Sequence, residues 1–327
     1  MDRRSFSIGG ALACAAALLP QTQANAEAPS QRPLRMLVGF PPGPAGFDFV
    51  ARQIAGQLPD LIGRPVVVDN RAGASGRIAL EALRSAKPDG ETLILSSQSP
   101  MTIFPHIYTN LRFDPAKDFT PITRAVTFDY TVTVGPAAPV NNLAEFVDWL
   151  RKNPSKAMFA SPGNGTTPHF IGEALHQKLG IPAVNVAYKG GAPAVLDLMA
   201  GQIPVQYDTV SAAIEQHRAG KLKIIATLGG QRCPLLPDVP TLKESGIDLE
   251  IYGWCGVYGP AGMDPALVAS YSRAIATALQ RDSVKEALEH VGMFPAPTTP
   301  AALAEFQRRE YEMWGPVIKA SGFKAES

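Results

Sequence analysis

The sequence predicts a two-lobe α/β fold, with mainly parallel sheets flanked by helices and a cleft between the lobes. Three observations carry this. Short β-rich runs alternate with segments of helical period along most of the chain, the pattern of βαβ units. The 327 residues suffice for two domains of about 150 residues, each with its own core. After the last long strand only helical stretches follow, too few strands for a third sheet, so those helices return to the first lobe. The lobes are then joined by two chain crossings, near Thr127–Tyr130 and near Glu250–Cys255. Residues 27–128 with 253–327 form a discontinuous first domain, and 129–252 a second.

In chain order, the strand-like runs are Leu34–Phe40, Pro65–Asp69, Thr92–Ser96, Tyr130–Gly135, Ala157–Ala160, Val184–Tyr188, Ile203–Tyr207, Leu222–Leu228 and Leu249–Tyr258. Phe47, Val50, Ile54 and Leu58 recur at helical spacing and make one apolar stripe. Further helical patterns cover Leu143–Arg151, Thr167–Leu179, Pro193–Ala200 and Val210–Ala219, then Pro265–Gln280, Ser283–His290 and Thr299–Ser321. Gly, Pro and Asx residues mark most boundaries.

The N-terminus reads as a cleavable export signal: basic Arg3-Arg4, an apolar run Ile8–Leu19 too short to span a bilayer, and Ala24-Asn25-Ala26 before the cut. The paired arginines with Phe6 also fit the twin-arginine route, whereas Cys14 lacks the setting of a lipid-anchored cysteine. No later stretch is apolar enough to cross a membrane, so residues 27–327 are expected to be soluble outside the cytoplasm.

Charge excludes one class of partner. The chain carries 30 Lys+Arg and 29 Asp+Glu, and the signal holds Asp2, Arg3 and Arg4, leaving 28 of each. A nucleic-acid binder needs a basic stripe, and none is present. Cys233 and Cys255 are the cysteines left after the signal; they form one disulfide or two packed thiols.

In parallel α/β sheets, ligands bind at the strand-to-helix loops. Three such loops are rich in Gly and small polar residues: Phe40–Asp48, with Gly43, Phe47 and Asp48; Ser161–His169, with Asn164, Gly165, Thr166, Thr167 and His169; and Tyr188–Pro193, with Gly190. Thr166 or Thr167 is placed to cap a helix that has Pro168 in its first turn. Such helix starts present unpaired N–H groups and partial positive charge, which suit a carboxylate. The Lys of a P-loop is missing and no dinucleotide Gly pattern follows a strand, so phosphate is the weaker anion and no cofactor is expected. Ser75, in Gly73–Gly76, does not fit a nucleophile elbow and reads as a turn or helix cap. His169 and His176 share a helical face with Glu173, without enough partners for a metal set. Asp48 and Asp208 suit either N-capping or contact with a ligand.

The runs Val38–Gly43, Gly63–Gly76 and Pro88–Leu93 resemble the Bug family, the extracytoplasmic solute receptors of tripartite tricarboxylate transporters. The likeness continues through Asp114–Phe119, Gly163–Gly165, Tyr188–Gly190, Gly201–Ile203, Leu236–Thr241 and Gly253-Trp254. It implies a periplasmic-binding-protein fold, non-catalytic, that closes on a small organic acid and works with membrane transporter subunits. It also implies that backbone amides and ordered waters grip the carboxylate, with Gly43, Ser97, Gln98, Asn164, Gly165, Thr166, Thr167, His169, Tyr188, Gly190 and Asp208 at the site. The sequence departs from the family in its first loop. Phe47 replaces a small residue, and Asp48 lies one position farther from Phe40, which implies a change in ligand size or an aromatic acid and leaves the role of Asp48 open. A dicarboxylate is the other ligand expected. Outside transport, the alternatives are an exported sensor, or a hydrolase with His169 or Asp48 as base.

Overall fold

A computed structural model describes residues 32–43 and 46–325; the predicted signal segment lies outside them. The elements are β1 (Leu34–Val38), α1 (Gly46–Ile62), β2 (Val66–Asn70), α2 (Arg77–Arg84), β3 (Thr92–Ser97), α3 (Gln98–Thr102), α4 (Phe104–Ile107) and β4 (Phe119–Val134). Next come α5 (Leu143–Lys152), β5 (Met158–Ser161), α6 (Thr167–Leu179), β6 (Val184–Ala187), α7 (Gly191–Met199), β7 (Val205–Thr209), α8 (Val210–Arg218) and β8 (Lys223–Thr227). The chain ends with β9 (Tyr252–Pro260), α9 (Pro265–Leu279), α10 (Asp282–His290), β10 (Phe294–Pro295) and α11 (Pro300–Ser321).

Local chemistry explains the helices. In α1, Val50, Ile54 and Leu58 are fully buried, and Phe47 packs at the edge of the same core. Asn142 caps α5 by accepting from the Glu145 amide, while the Glu145 carboxylate accepts in return from the Asn141 amide. Thr299 caps α11, Pro300 occupies its first turn, and Gly322 ends it in the left-handed region with φ 67°.

The sheet order is β2-β1-β3-β9-β4-β7-β5-β6, with β8 and β10 also on β4. β1 pairs in parallel with β2 and β3, and β5 with β6 and β7. The middle differs from the expected mainly parallel sheet: β9 is antiparallel to β3 and β4, and β7, β8 and β10 are antiparallel to β4. The cause is that β4 and β9 run in opposite directions through the centre and supply an edge to both halves.

The sequence predicts a strand over Tyr130–Gly135, whereas β4 begins much earlier, at Phe119. Its first part pairs with β9 from Phe119↔Pro260 to Asp129↔Tyr252. From Tyr130 onward its partners are β7 and β8. The exchange of partners falls between Asp129 and Tyr130, so one strand serves two lobes. The chain returns at Ile251, whose amide donates to Leu228 O, immediately before Tyr252 joins Asp129. Their shared strands make the lobes one compact unit.

Gly253 faces Phe128 across this pairing, and a Cβ there would lie 1.9 Å from the Phe128 ring. Gly253→Ala is therefore expected to lower stability by about 2 kcal/mol or more, since the crowded ring has to move. Gly56→Ala, in α1 with nothing within 4 Å, is expected to raise it by about 0.5–1 kcal/mol. Urea unfolding of both variants checks the contrast; equal effects of the two would contradict it.

Candidate functional site

The ends of β3 and β5 and the middle of β4 bring the loops of both lobes to one place. Gln98 opens α3 directly after β3; its Oε1 accepts from the Trp254 amide of β9 at 2.9 Å. That bond aims its Nε2 outward, to donate to Thr167 Oγ1 at 3.1 Å. The Ser99 hydroxyl meets the same oxygen at 3.0 Å. Thr167 is the first residue of α6 and is almost fully buried. The cap of that helix is Thr166, whose hydroxyl accepts from the His169 amide and donates to Gly163 O. In the first turn of α6, Pro168 has no N–H and the His169 amide is taken by Thr166, so α6 directs the Thr167 amide and the partial positive charge of its start at this junction.

Gly165 and His169 shape the same loop. Gly165 sits at φ 74°, and a Cβ on it would approach Ile107 of α4 to 2.7 Å. Its amide donates to His169 Nδ1 at 3.1 Å, so the imidazole carries its proton on Nε2, 3.6 Å from Glu173 Oε1. The ring stacks on Phe170 and meets Phe323 edge-on. His169 is thus a brace for the loop. His176 is a separate buried group between Ile181 O and the Tyr207 hydroxyl, and burial depresses it to about 4. Among the described residues, no group of three or more His, Cys, Asp or Glu is placed to hold a metal.

Asp208 is the next-to-last residue of β7, beneath the α7 start. Its Oδ1 accepts from the Thr209 amide and its Oδ2 from Gln206 Nε2. Thr209, not Asp208, occupies the α8 cap position. Gly191 makes room for this carboxylate: a Cβ there would stand 2.4 Å from Oδ2. Tyr130, which sequence reasoning treated only as a strand start, is buried with its hydroxyl toward Thr167 and near Asp208. Its polar neighbours were missed because the register that joins them spans distant segments; no local signal marks it.

The remaining predicted residues hold the loops in shape. The Asp48 carboxylate accepts from the Gly43 amide, Arg52 Nε and Asn70 Nδ2 at 3.1, 2.9 and 2.7 Å. Burial raises this group, but those hydrogen bonds outweigh it and hold the carboxyl below its ordinary value. Asp48 therefore ties down its loop from inside the first turn of α1. Phe47 lies between Phe40 and Phe128, with ring centroids at 4.8 and 6.0 Å. Ser97 is buried at the end of β3. Asn164 Oδ1 accepts from Asn185, and the Tyr188 hydroxyl donates to Asp197 at 2.8 Å. Burial and then Asp197 push the Tyr188 phenol up to about 12. Gly190 is the α7 cap, at φ 105°.

Ser75 lies in a short turn with φ 54°, and Gly76 is the α2 cap. Cys233 and Cys255 are free buried thiols, each raised by burial to about 12.

Two cavities lie away from this cluster. One of about 360 Å³ separates α6 from the last turns of α11, and one of about 700 Å³ is bounded by Tyr108, Phe113, Phe119, Gln307 and Tyr311. Neither is lined by a predicted site residue. The larger has an apolar floor, and its rim guanidinium, Arg308, is already paired with Glu305 and Glu312. It lacks the strand-end amides that converge at Thr167.

Asp208 makes the cluster sensitive to pH. Burial raises its carboxyl to about 6 from the ordinary 3.8, against the lowering effect of Thr209 and Gln206. A proton held more tightly in the folded state contributes stability at low pH that is lost as pH rises through the folded value. Asp208→Asn removes that titration, and after an amide flip Gln206 Oε1, which has no partner among the described residues, accepts from the new Nδ2. Between about pH 4 and about pH 6 the unaltered protein is expected to lose about 2–3 kcal/mol relative to Asp208→Asn. Urea unfolding across that range measures it; parallel profiles would contradict it.

The described residues contain no helix long and apolar enough to cross a membrane. Residues 50–323 match the model of the tripartite tricarboxylate transporter family receptor. Among solved structures, an R. palustris protein with adipate is 28% identical, with TM-score 0.82 over 90% of this chain and 99% of its own. The periplasmic binding protein BugD is 30% identical, with TM-score 0.78 and the same coverage. MatC from Rhodopseudomonas palustris with bound malate is 27% identical, with TM-score 0.76 over 88% of this chain and 99% of its own. The two-lobe architecture described above is thus that of periplasmic binding proteins.

Proposed function

We propose that this chain, which belongs to the tripartite tricarboxylate transporter receptor family, captures a small organic carboxylate between its lobes and presents it to membrane transporter subunits. The observation that carries this reading is the junction of Gln98, Ser99 and Thr167, where strand-end loops of the two lobes meet at the N-terminus of α6. A carboxylate entering there replaces hydroxyl and amide contacts with charge-assisted ones. The adipate and malate held by the two structural relatives are acids of this class.

On this reading the lobes are residues 27–128 with 253–327, and 129–252. They rotate about the exchange of partners at Asp129 and Tyr130 and about the returning chain at Ile251 and Tyr252, a hinge with two crossings. Gln98 and Ser99 of α3 already meet Thr167 of α6, so opening of the lobes would part them to admit the solute and closure would bring them back around it. Export through a signal cut after Ala26 places a monomer in the periplasm. Hydrolysis fits the geometry poorly: Asp48 is held below the ordinary carboxylate range, and His169 Nδ1 already accepts from Gly165.

A cognate acid is expected to raise the melting temperature by mass action. Thr167→Val keeps the shape of the side chain but loses the hydroxyl, and is expected to weaken binding by roughly tenfold, the value of one charge-assisted hydrogen bond. Differential scanning fluorimetry with mono-, di- and aromatic carboxylates tests the first expectation, and calorimetry with the best acid tests the second. No shift with any of these acids at millimolar concentration would sink the reading.

A further inference from the structure

The last helix touches both of the lobes assigned above. Its buried residues, Leu303, Gln307, Trp314 and Ile318, recur at helical spacing along one face of α11. The first two belong to the first lobe: Leu303 packs in the cluster of Trp254 and Tyr258, and Gln307 Oε1 accepts from the Tyr258 hydroxyl at 2.9 Å. The farther half lies against α6 of the second lobe. The Trp314 ring stands 6.4 Å from Phe170, and Phe323, just past the helix, lies 5.8 Å from Phe170 and 4.8 Å from His169, edge-on to both. The chain then returns to the first lobe, where the Ala325 amide donates to Ile107 O of α4 at 3.0 Å. Besides the two strand crossings, the lobes are therefore bridged by α11 and the residues after it.

Two features mark this bridge as one that opens. A cavity of about 360 Å³ lies between α6 and the last turns of α11, with Gln177 and Gly180 on one side and Val317 and Ala320 on the other. Protein interiors are close-packed, so an interface with a void of that size is held by few contacts, here the rings of Trp314, Phe170 and Phe323. The ring contact also ends on the solute loop. His169, which Phe323 meets edge-on, accepts from the Gly165 amide through Nδ1, and Gly165 directly precedes the α6 cap Thr166. A Cβ at Gly165 would come within 2.7 Å of Ile107, whose carbonyl anchors Ala325. The bridge and the loop thus share two partners, His169 and Ile107.

Resting on the two-lobe closure proposed above, we propose that the segment from Trp314 to Ala325 is a latch between the lobes and that Phe323 is a positioning residue of the solute site. Its ring holds the His169 imidazole, and the imidazole holds the Gly165 amide and with it the loop that leads to Thr167. Opening of the lobes draws His169 away from Phe323 and loosens the loop; closure restores both. The shape of the binding loop is in this way tied to closure by a residue outside the junction of Gln98, Ser99 and Thr167.

Hydrogen exchange of the full chain, without any solute, tests the latch, with Phe323→Ala removing the ring and Phe323→Tyr keeping it. Melting temperatures establish that both variants are folded. The Gly165 amide is expected to exchange roughly fivefold faster in Phe323→Ala than in the unaltered protein, the effect of one lost edge-on ring contact, and at the unaltered rate in Phe323→Tyr. The Met36 amide, at the centre of β1 between β2 and β3, reports global opening and is expected to change less. Solution scattering is expected to give a larger radius of gyration for Phe323→Ala alone. Equal Gly165 exchange in all three proteins, a change no larger than that at Met36, no rescue by Phe323→Tyr, or equal radii of gyration overturns the latch. No carboxylate enters this experiment, so its failure leaves the carboxylate reading standing, and failure of the carboxylate panel leaves the exchange result to judge the latch.

Discussion

The antiparallel pairing of β4 with β9 is the constraint on which the rest depends. It holds the lobes together, since β4 exchanges its partners after Asp129 and β9 begins opposite that residue. It also builds the site from both sides. The Trp254 amide fixes Gln98, which reaches Thr167; Gly253 leaves space for Phe128, which supports Phe47; and Tyr130, the first residue past the exchange, points at Thr167. A shift of register by one residue would turn each of these side chains to the opposite face. The same strand holds a buried carboxyl, Asp129, beside Cys233, and burial raises it.

The chain reconciles anion binding with a charge balance of nearly zero. Net charge counts side chains and omits oriented amides, which act strongly where water is excluded. Here the carboxylates beside the first and third loops are spent internally: Asp48 on Arg52 and Asn70, and Asp197 on the Tyr188 hydroxyl. What remains directed at the junction is the start of α6, with hydroxyl and amide side chains around it. This arrangement positions an anion without a competing surface field.

Local chemistry was legible in the amino-acid sequence. The α6 boundaries agree with the reading from Thr167 to Leu179, and the choice between two caps resolves to Thr166. The long β4 was read only from Tyr130, because Pro121 and the register shifts near Thr123 and Val126 break the two-residue alternation that identifies a strand. The antiparallel centre was missed for a related reason, since alternating strands and helices say nothing about which distant strands pair. Within the candidate site, residue types were recognised but their partners were not. Asp48 and Asp208 both appeared as acids at loop ends, yet hydrogen bonds from Arg52, Asn70 and Gly43 depress one while burial raises the other. Tyr130 carries no local signature, because only strand register brings it near Thr167 and Asp208, whereas Gln206 reaches Asp208 within β7 as the residue two before it on the same face.

The central claim is that the start of α6, with its Thr167 amide, receives the carboxylate. Amide-resolved NMR titration with the acid that most raises the melting temperature tests it directly. The account predicts the largest shift at the Thr167 amide, with its proton moving downfield and smaller shifts at its neighbours Gly165 and Thr166. Shifts concentrated instead at Phe113, Phe119 and Gln307, around the 700 Å³ cavity, would contradict it.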